Sequence, residues 1–211
     1  MSAEISSAIQ ASARGRPRKF NNDEVLDALV QLFWEKGYEA TSLADIVAAT
    51  GVNKSSLYSS FGSKDQLFEL ALSRYVDFRA EMMSRIVGDG TQGLDDVKIL
   101  FEYLWSEVND MGEHRGCLAI NTGTEMGTRD KGVSDIASRY RTLMREGLSK
   151  AFTRAANRGE IDAENIVTYT SLMLSFLIGT AVIVRSGATN EELRGQLDAA
   201  AKTIESWRLE K

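Results

Sequence analysis

Residues 41–66 read TSLADIVAATGVNKSSLYSSFGSKDQ, and the punctuation in this stretch decides the fold. A helix opens at Thr41 or Ser42, where Ser42 and Asp45 have the spacing of a capping box. Leu43, Ile46 and Val47 turn inward over about two turns. Thr50-Gly51-Val52 then makes a short glycine-containing turn, Asn53 is a good N-cap, and Lys54 to Ser60 form a second brief helix that Gly62 breaks. Two short helices joined in this way form a helix-turn-helix. Ser63 with Gln66 is a further capping box. It launches a long amphipathic helix through Leu67, Leu70, Ala71, Tyr75, Phe78 and Met82 toward Val87.

Upstream, Asn21 is placed to accept from the amide three residues on, with Glu24 reaching back and Phe20 and Val25 at the positions of a hydrophobic staple. Val25, Leu26, Leu29, Leu32 and Phe33 form the stripe of this first helix, and Gly37 ends it. Downstream, helices are predicted over Leu94 to Met111, Cys117 to Met126, Val133 to Asn157 and about Asp162 to Arg185. The last one is capped by Thr189 with Glu192. The only proline is Pro17, so no proline interrupts any of these helices, and the expected class is all-α. The chain divides into an arm at 1–19, expected to be disordered, a helix-turn-helix DNA-binding domain at 20–66, and a larger helical domain at 67–211 for effector binding and dimerisation.

The formal net charge of −5 argues against a generally basic nucleic-acid coat. The basic character is local: Arg14, Arg16, Arg18 and Lys19 crowd the arm, and Arg16 and Arg18 could enter a minor groove next to the site read by the helix-turn-helix. In the second short helix, Asn53, Lys54, Ser55 and Ser56 put short polar groups and a cation at the N-terminal end, where base edges of the major groove are within reach. Leu57 is expected to face the core. Tyr58 can pack its ring on the helix while its hydroxyl reaches a phosphate, and Lys64 adds a cation to a helix N-terminus.

Three motifs carry a family resemblance. Gly37-Tyr38-Glu39-Ala40-Thr41-Ser42-Leu43-Ala44-Asp45-Ile46, Gly51-Val52-Asn53-Lys54-Ser55-Ser56-Leu57-Tyr58 and Phe61-Gly62-Ser63-Lys64-Asp65-Gln66-Leu67 resemble, in order and spacing, the N-terminal domain of the TetR (tetracycline-repressor) family. The resemblance covers roughly residues 20 to 70. It implies a transcriptional regulator, a repressor that a small-molecule effector releases from double-stranded operator DNA; the single cysteine and an N-terminus without an apolar signal core lead to the expectation of a cytoplasmic protein. It also implies phosphate contacts from Tyr58 and Lys64, and from Thr41 and Ser42 at the start of the preceding helix. Beyond residue 70 the chain resembles the family in length and helical layout. Arg115-Gly116-Cys117-Leu118 with Asn121 is similar to a stretch at the start of a core helix in some members, and it identifies no ligand.

Other chemistries are poorly served. His114 and Cys117 are the only histidine and the only cysteine, and they stand three residues apart. No third group orients them for catalysis, and two side chains cannot close a metal site, so neither an enzyme nor a cofactor is expected. Redox sensing by Cys117 and an inert, buried thiol both stay open. Candidate effector contacts are the larger side chains of the body, Phe101, Trp105, Met126, Tyr140, Met144, Tyr169 and Met173.

Ile166 to Val184 carries no charged residue and is long enough to span a bilayer, but its many hydroxyls favour burial by other protein. Its two sides, with Leu172, Phe176 and Ile183 on one, are too much for one chain to cover. A homodimer is therefore expected, with the Leu193, Leu197, Ala200, Ile204 and Trp207 seam of the final helix closing a four-helix bundle across a two-fold axis.

Overall fold

The computed structural model describes residues 20–111, 115–127 and 129–210, and the expectations for the arm, including Arg16 and Arg18, and for His114 lie outside the described residues. Among the described residues there are nine α-helices and no strand. They are α1 (Asn22–Lys36), α2 (Leu43–Thr50), α3 (Lys54–Phe61), α4 (Lys64–Met83), α5 (Leu94–Met111), α6 (Leu118–Met126), α7 (Lys131–Asn157), α8 (Ile166–Arg185) and α9 (Asn190–Ser206). A π-helical turn, Ser84–Gly88, follows α4, and a 3-10 turn, Ala163–Asn165, precedes α8.

The capping boxes form where the spacing places them. Ser42, Ser63 and Thr189 each accept from the backbone amide three residues on, and Asp45, Gln66 and Glu192 reach back to the cap amide. Asn21 differs in detail. Its side chain accepts from the amide of Asp23, two residues on, and its own amide group donates to Glu24.

Helices α1, α2 and α3 close around α4 through Leu29, Phe33, Ile46, Leu57, Leu67 and Phe68, all buried. The Phe33 and Phe68 rings meet edge to face with centroids 4.8 Å apart. Arg74 on α4 adds ion pairs to Asp23 and Asp27 of α1, and Lys36 on α1 pairs with Asp45 of α2. The far half of α4 enters the second core, where Met83 lies so close to Gly147 of α7 that a Cβ there would meet its side chain at 2.8 Å. No break separates the two halves of α4, although the sequence-based domain boundary falls near its start.

The loop before α5 is fixed by buried acids. Asp96 accepts from the amides of Gln92 and Gly93 and pairs with Arg154 of α7 at 2.8 Å, while Glu160 accepts from the amide of Leu94. Each charge is thus compensated where it is buried.

The expected dimer seam requires a correction. Leu193, Leu197, Ala200 and Ile204 are buried within their own protomer, where α9 packs on α5, and so are unavailable to a partner. Phe176 is half-buried, its ring 5.4 Å from that of Phe101. By contrast, Val167, Leu172, Val182 and Ile183 of α8 are exposed, and only 28% of the most apolar window of this helix is buried. Among the described residues one helix, Ala163–Arg185, is long and apolar enough to cross a membrane by length and composition, but here it is packed on α7. Truncation of a side chain in the α9 seam should therefore unfold the protomer rather than split an assembly. Leu197→Ala is expected to lower the unfolding free energy by about 2–5 kcal/mol. Urea denaturation checks this, and a change below 1 kcal/mol would place Leu197 outside the core.

Candidate nucleic-acid interface and helical-body cavity

Helix α3 presents its polar N-terminus to solvent. Asn53 is the N-cap, and its side-chain oxygen accepts from the amide of Ser56 at 2.9 Å and from the Ser55 hydroxyl at 2.7 Å. Lys54 and Ser55 are exposed, Ser56 is half-buried, and Leu57 is fully buried as the anchor of the helix. Tyr58 is exposed, with the Lys54 ammonium 5.6 Å from its ring centre. The free face of α3 therefore offers hydroxyls and one cation, the donor and acceptor types that read base edges.

Ser42 and Lys64 flank this face. Ser42 is exposed, but its hydroxyl is engaged with Asp45 in the capping box. Lys64, in the first turn of α4, rests over the Tyr38 ring at 4.2 Å, and the Tyr38 hydroxyl donates to Asp65. That hydrogen bond raises the Tyr38 pKa to about 12, so the phenol stays neutral. The ring thus props a cation at a helix N-terminus, where amide dipoles add to its attraction for an anion.

Thr41 stands apart. It is 1% exposed, and its hydroxyl donates to the Gly37 carbonyl at 2.6 Å, so it closes the turn between α1 and α2 and does not face outward. The expected phosphate contact is not available to it in this arrangement.

A second feature lies in the body. A cavity with about 80 Å³ of space for water-sized molecules sits among α4, α5, α6, α7, α8 and α9. Of the residues expected to contact an effector, Tyr140 and Met144 line it. Phe101, Trp105, Met126, Tyr169 and Met173 do not. Phe101 and Met173 are ordinary core, Trp105 lies 5.6 Å from the Arg194 guanidinium, and Tyr169 stacks on Trp207 at 3.9 Å.

One wall of the cavity is polar. Arg79, buried, pairs with Glu107 at 2.7 Å and donates from Nε to the Tyr75 hydroxyl at 2.9 Å. The Cys117 sulfur then sits 3.4 Å from the hydroxyls of both Tyr75 and Tyr140. Burial pushes both phenols well above their ordinary pKa, so both remain protonated. Cys117 is buried in this network.

The segment that carries Cys117 also touches the helix-turn-helix unit. Trp34 of α1 donates from its indole nitrogen to the Gly116 carbonyl at 3.1 Å, and Arg115 donates to Gln31. Gly116 has φ +66° and is packed so tightly that a Cβ would lie 2.6 Å from the Ala181 carbonyl of α8. Only glycine fits there. No local signal in the sequence marks Trp34 for this contact, because its partner is 82 residues away in the chain.

A small helix-turn-helix module that shares one long helix with a larger helical body defines a class of DNA-binding regulators. Residues 25–71 match the family model for bacterial regulatory proteins, tetR family. The HTH-type transcriptional repressor ComR of Escherichia coli K12 is 30% identical over 197 residues, spanning 92% of each chain. BdcR, an HTH-type transcriptional repressor of the same organism, is 27% identical over 93% of this chain and 95% of its own. Among solved structures, a cysteine mutant of the TetR family regulator CifR, complexed with 26-bp operator DNA, superposes with a TM-score of 0.79 at 24% identity, covering 89% of this chain and 98% of that one. The chain belongs to the TetR family, and it is a DNA-binding transcription regulator rather than an enzyme.

Removal of the Lys64 cation should weaken DNA binding for all sequences alike, since phosphate contacts position the protein without reading bases. Lys64→Ala is expected to reduce affinity about tenfold and to lessen its salt dependence. Lys54→Ala and Ser55→Ala should instead alter the preferred sequence. Selection from a random DNA pool distinguishes the two effects, and an unchanged preference in both α3 variants would remove these residues from the reading surface.

Proposed function

We propose that the protein is a dimeric, effector-responsive repressor that acts in the cytoplasm and leaves its operator when a small molecule occupies the body cavity. In this reading residues 20–66 hold DNA, with Asn53, Lys54, Ser55 and Ser56 facing bases and Ser42, Tyr58 and Lys64 facing phosphates. Residues 67–211 bind the effector and the second subunit. The observation that carries the link between sites is the Trp34 hydrogen bond to Gly116, because Gly116 and Cys117 also line the cavity. A molecule that displaces this segment moves the anchor of α1. Linkage then requires that DNA and effector favour different positions of the same contact.

The dimer face is drawn from the exposed side of α8. Leu172, Ser175, Gly179 and Val182 alternate at three and four residues, the spacing of a helix-pair seam. Gly195 and Ala199 provide a small, exposed surface on α9 beside Ile183. A Cβ at Gly179 or Gly195 would meet nothing within 4 Å, so both sites leave room for a partner helix. A two-fold pair then presents two α3 helices to half-sites about one turn of DNA (~34 Å) apart.

Retardation of DNA from upstream of the protein's own gene in a gel shift tests the operator-binding part of this reading, and absence of any retarded species would count against it. Light scattering tests the interface. The double variant Leu172→Asp with Ile183→Lys should be folded, monomeric and at least tenfold weaker on operator. A double variant that stays dimeric would move the interface elsewhere. Trp34→Phe keeps the ring but removes the donor, and should change operator affinity about fivefold, the worth of one hydrogen bond. Unaltered affinity and unaltered effector response together would exclude this contact as the link.

A further inference from the structure

The cavity in the body is lined mainly by apolar side chains, among them Met82, Leu100, Met144, Leu174, Leu177 and Val184. Into it projects one buried polar atom that, among the described residues, has no partner: the Thr180 hydroxyl, in α8, on a residue only 7% exposed. Such a hydroxyl is destabilising unless something pairs with it. The other polar groups on the wall are already engaged. Arg79 is neutralised by Glu107, and Cys117 lies between two tyrosine hydroxyls. A carboxylate entering the cavity would meet Glu107, and an ammonium would meet Arg79. Arg141, the remaining charge on the lining, is solvent-exposed and belongs to the rim. The space, about 80 Å³, is roughly half of the ~150 Å³ that holds benzene in an apolar cavity, so a single-ring molecule enters only by displacing part of the lining.

We infer that the cavity takes a small, uncharged, largely apolar molecule whose single hydrogen-bonding group pairs with Thr180. This inference rests on the reading of the cavity as the effector site and adds the chemical class it selects. Charge exclusion follows from the internally compensated Arg79–Glu107 pair. Polarity selection follows from the one hydrogen bond left unmade. A neutral alcohol or ketone on a ring satisfies both conditions, while a hydrocarbon of the same size satisfies only the first.

Four probes of near-equal size test this with the full-length protein: toluene, benzyl alcohol, benzoate and benzylamine. Binding is read by calorimetry and by thermal shift. Benzyl alcohol should bind most tightly, toluene about tenfold more weakly, and benzoate and benzylamine not measurably. Thr180→Val keeps the shape and removes the hydroxyl. It should reduce benzyl alcohol affinity about tenfold and leave toluene unchanged or tighter, which a merely structural effect on α8 would not do. Tighter binding of benzoate or benzylamine, or an equal loss for toluene and benzyl alcohol in Thr180→Val, would overturn the assigned class. Failure of all four probes to bind would overturn it as well.

A parallel titration follows the anisotropy of labelled upstream DNA bound to the protein. Release of DNA by benzyl alcohol supports both readings. Binding of benzyl alcohol without release would leave the ligand class standing and remove the effector role of the cavity.

Discussion

Helix α4 has to be buried at both ends in different company, and the remaining helices are arranged to meet that demand. Its first half fills the core of the DNA-binding unit with Leu67 and Phe68, and its second half enters the body with Met82 and Met83. The absence of a side chain at Gly147 lets Met83 approach the long helix α7. If α4 ended near Ala71, the small unit would retain α1, two helices of eight residues each and about two turns of α4, with little apolar surface for independent stability. Continuity therefore serves stability as well as communication. The Arg74 pairs to Asp23 and Asp27 and the Trp34 bond to Gly116 keep α1 in step with it.

The polar wall of the cavity has a similar economy. Arg79 satisfies Glu107 and Tyr75, and Tyr75 reaches Cys117, so a buried charge, a phenol and a thiol are held in one connected set. Trp34 lies against this set as well, with its ring 5.2 Å from Tyr75 and 5.7 Å from the Arg79 guanidinium. Edge-to-face aromatic contact and cation–π attraction act at short range, so they favour one relative position of α1 and the body over intermediate ones. The same wall thus faces the cavity on one side and the DNA-binding unit on the other.

What the sequence made legible was local. The capping residues at 42, 53, 63 and 189 and the glycines that end helices act within a few residues, and the helices start and stop close to where these signals fall. The recognition helix was equally plain, because its polar face and its anchor Leu57 lie in eight consecutive residues. What failed depended on which surface covers which. The period of Leu193, Leu197, Ala200 and Ile204 shows an apolar face but not whether α5 or a second chain lies against it. Thr41 looked like a phosphate ligand because its hydroxyl is close to a helix start, and only the backbone path shows the Gly37 carbonyl taking it. Large side chains were likewise poor guides to the cavity. Tyr169 stacks on Trp207 and Phe101 packs tilted against Phe176, and the informative residue, Thr180, is small and sits in a helix whose composition suggested nothing more than burial.

Helix α4, at 20 residues, is about 30 Å long. As a rigid rod held at Met83, it multiplies small rotations: a tilt of about 6° carries its Ser63 end through roughly 3 Å, close to the rise of a single base pair of about 3.4 Å. In the proposed two-fold pair the two rods would swing in opposite senses, and the error at the far half-site would double. In that proposed arrangement, a displacement no larger than a methyl group at the cavity wall would put one recognition helix out of phase with the groove while the other remained seated.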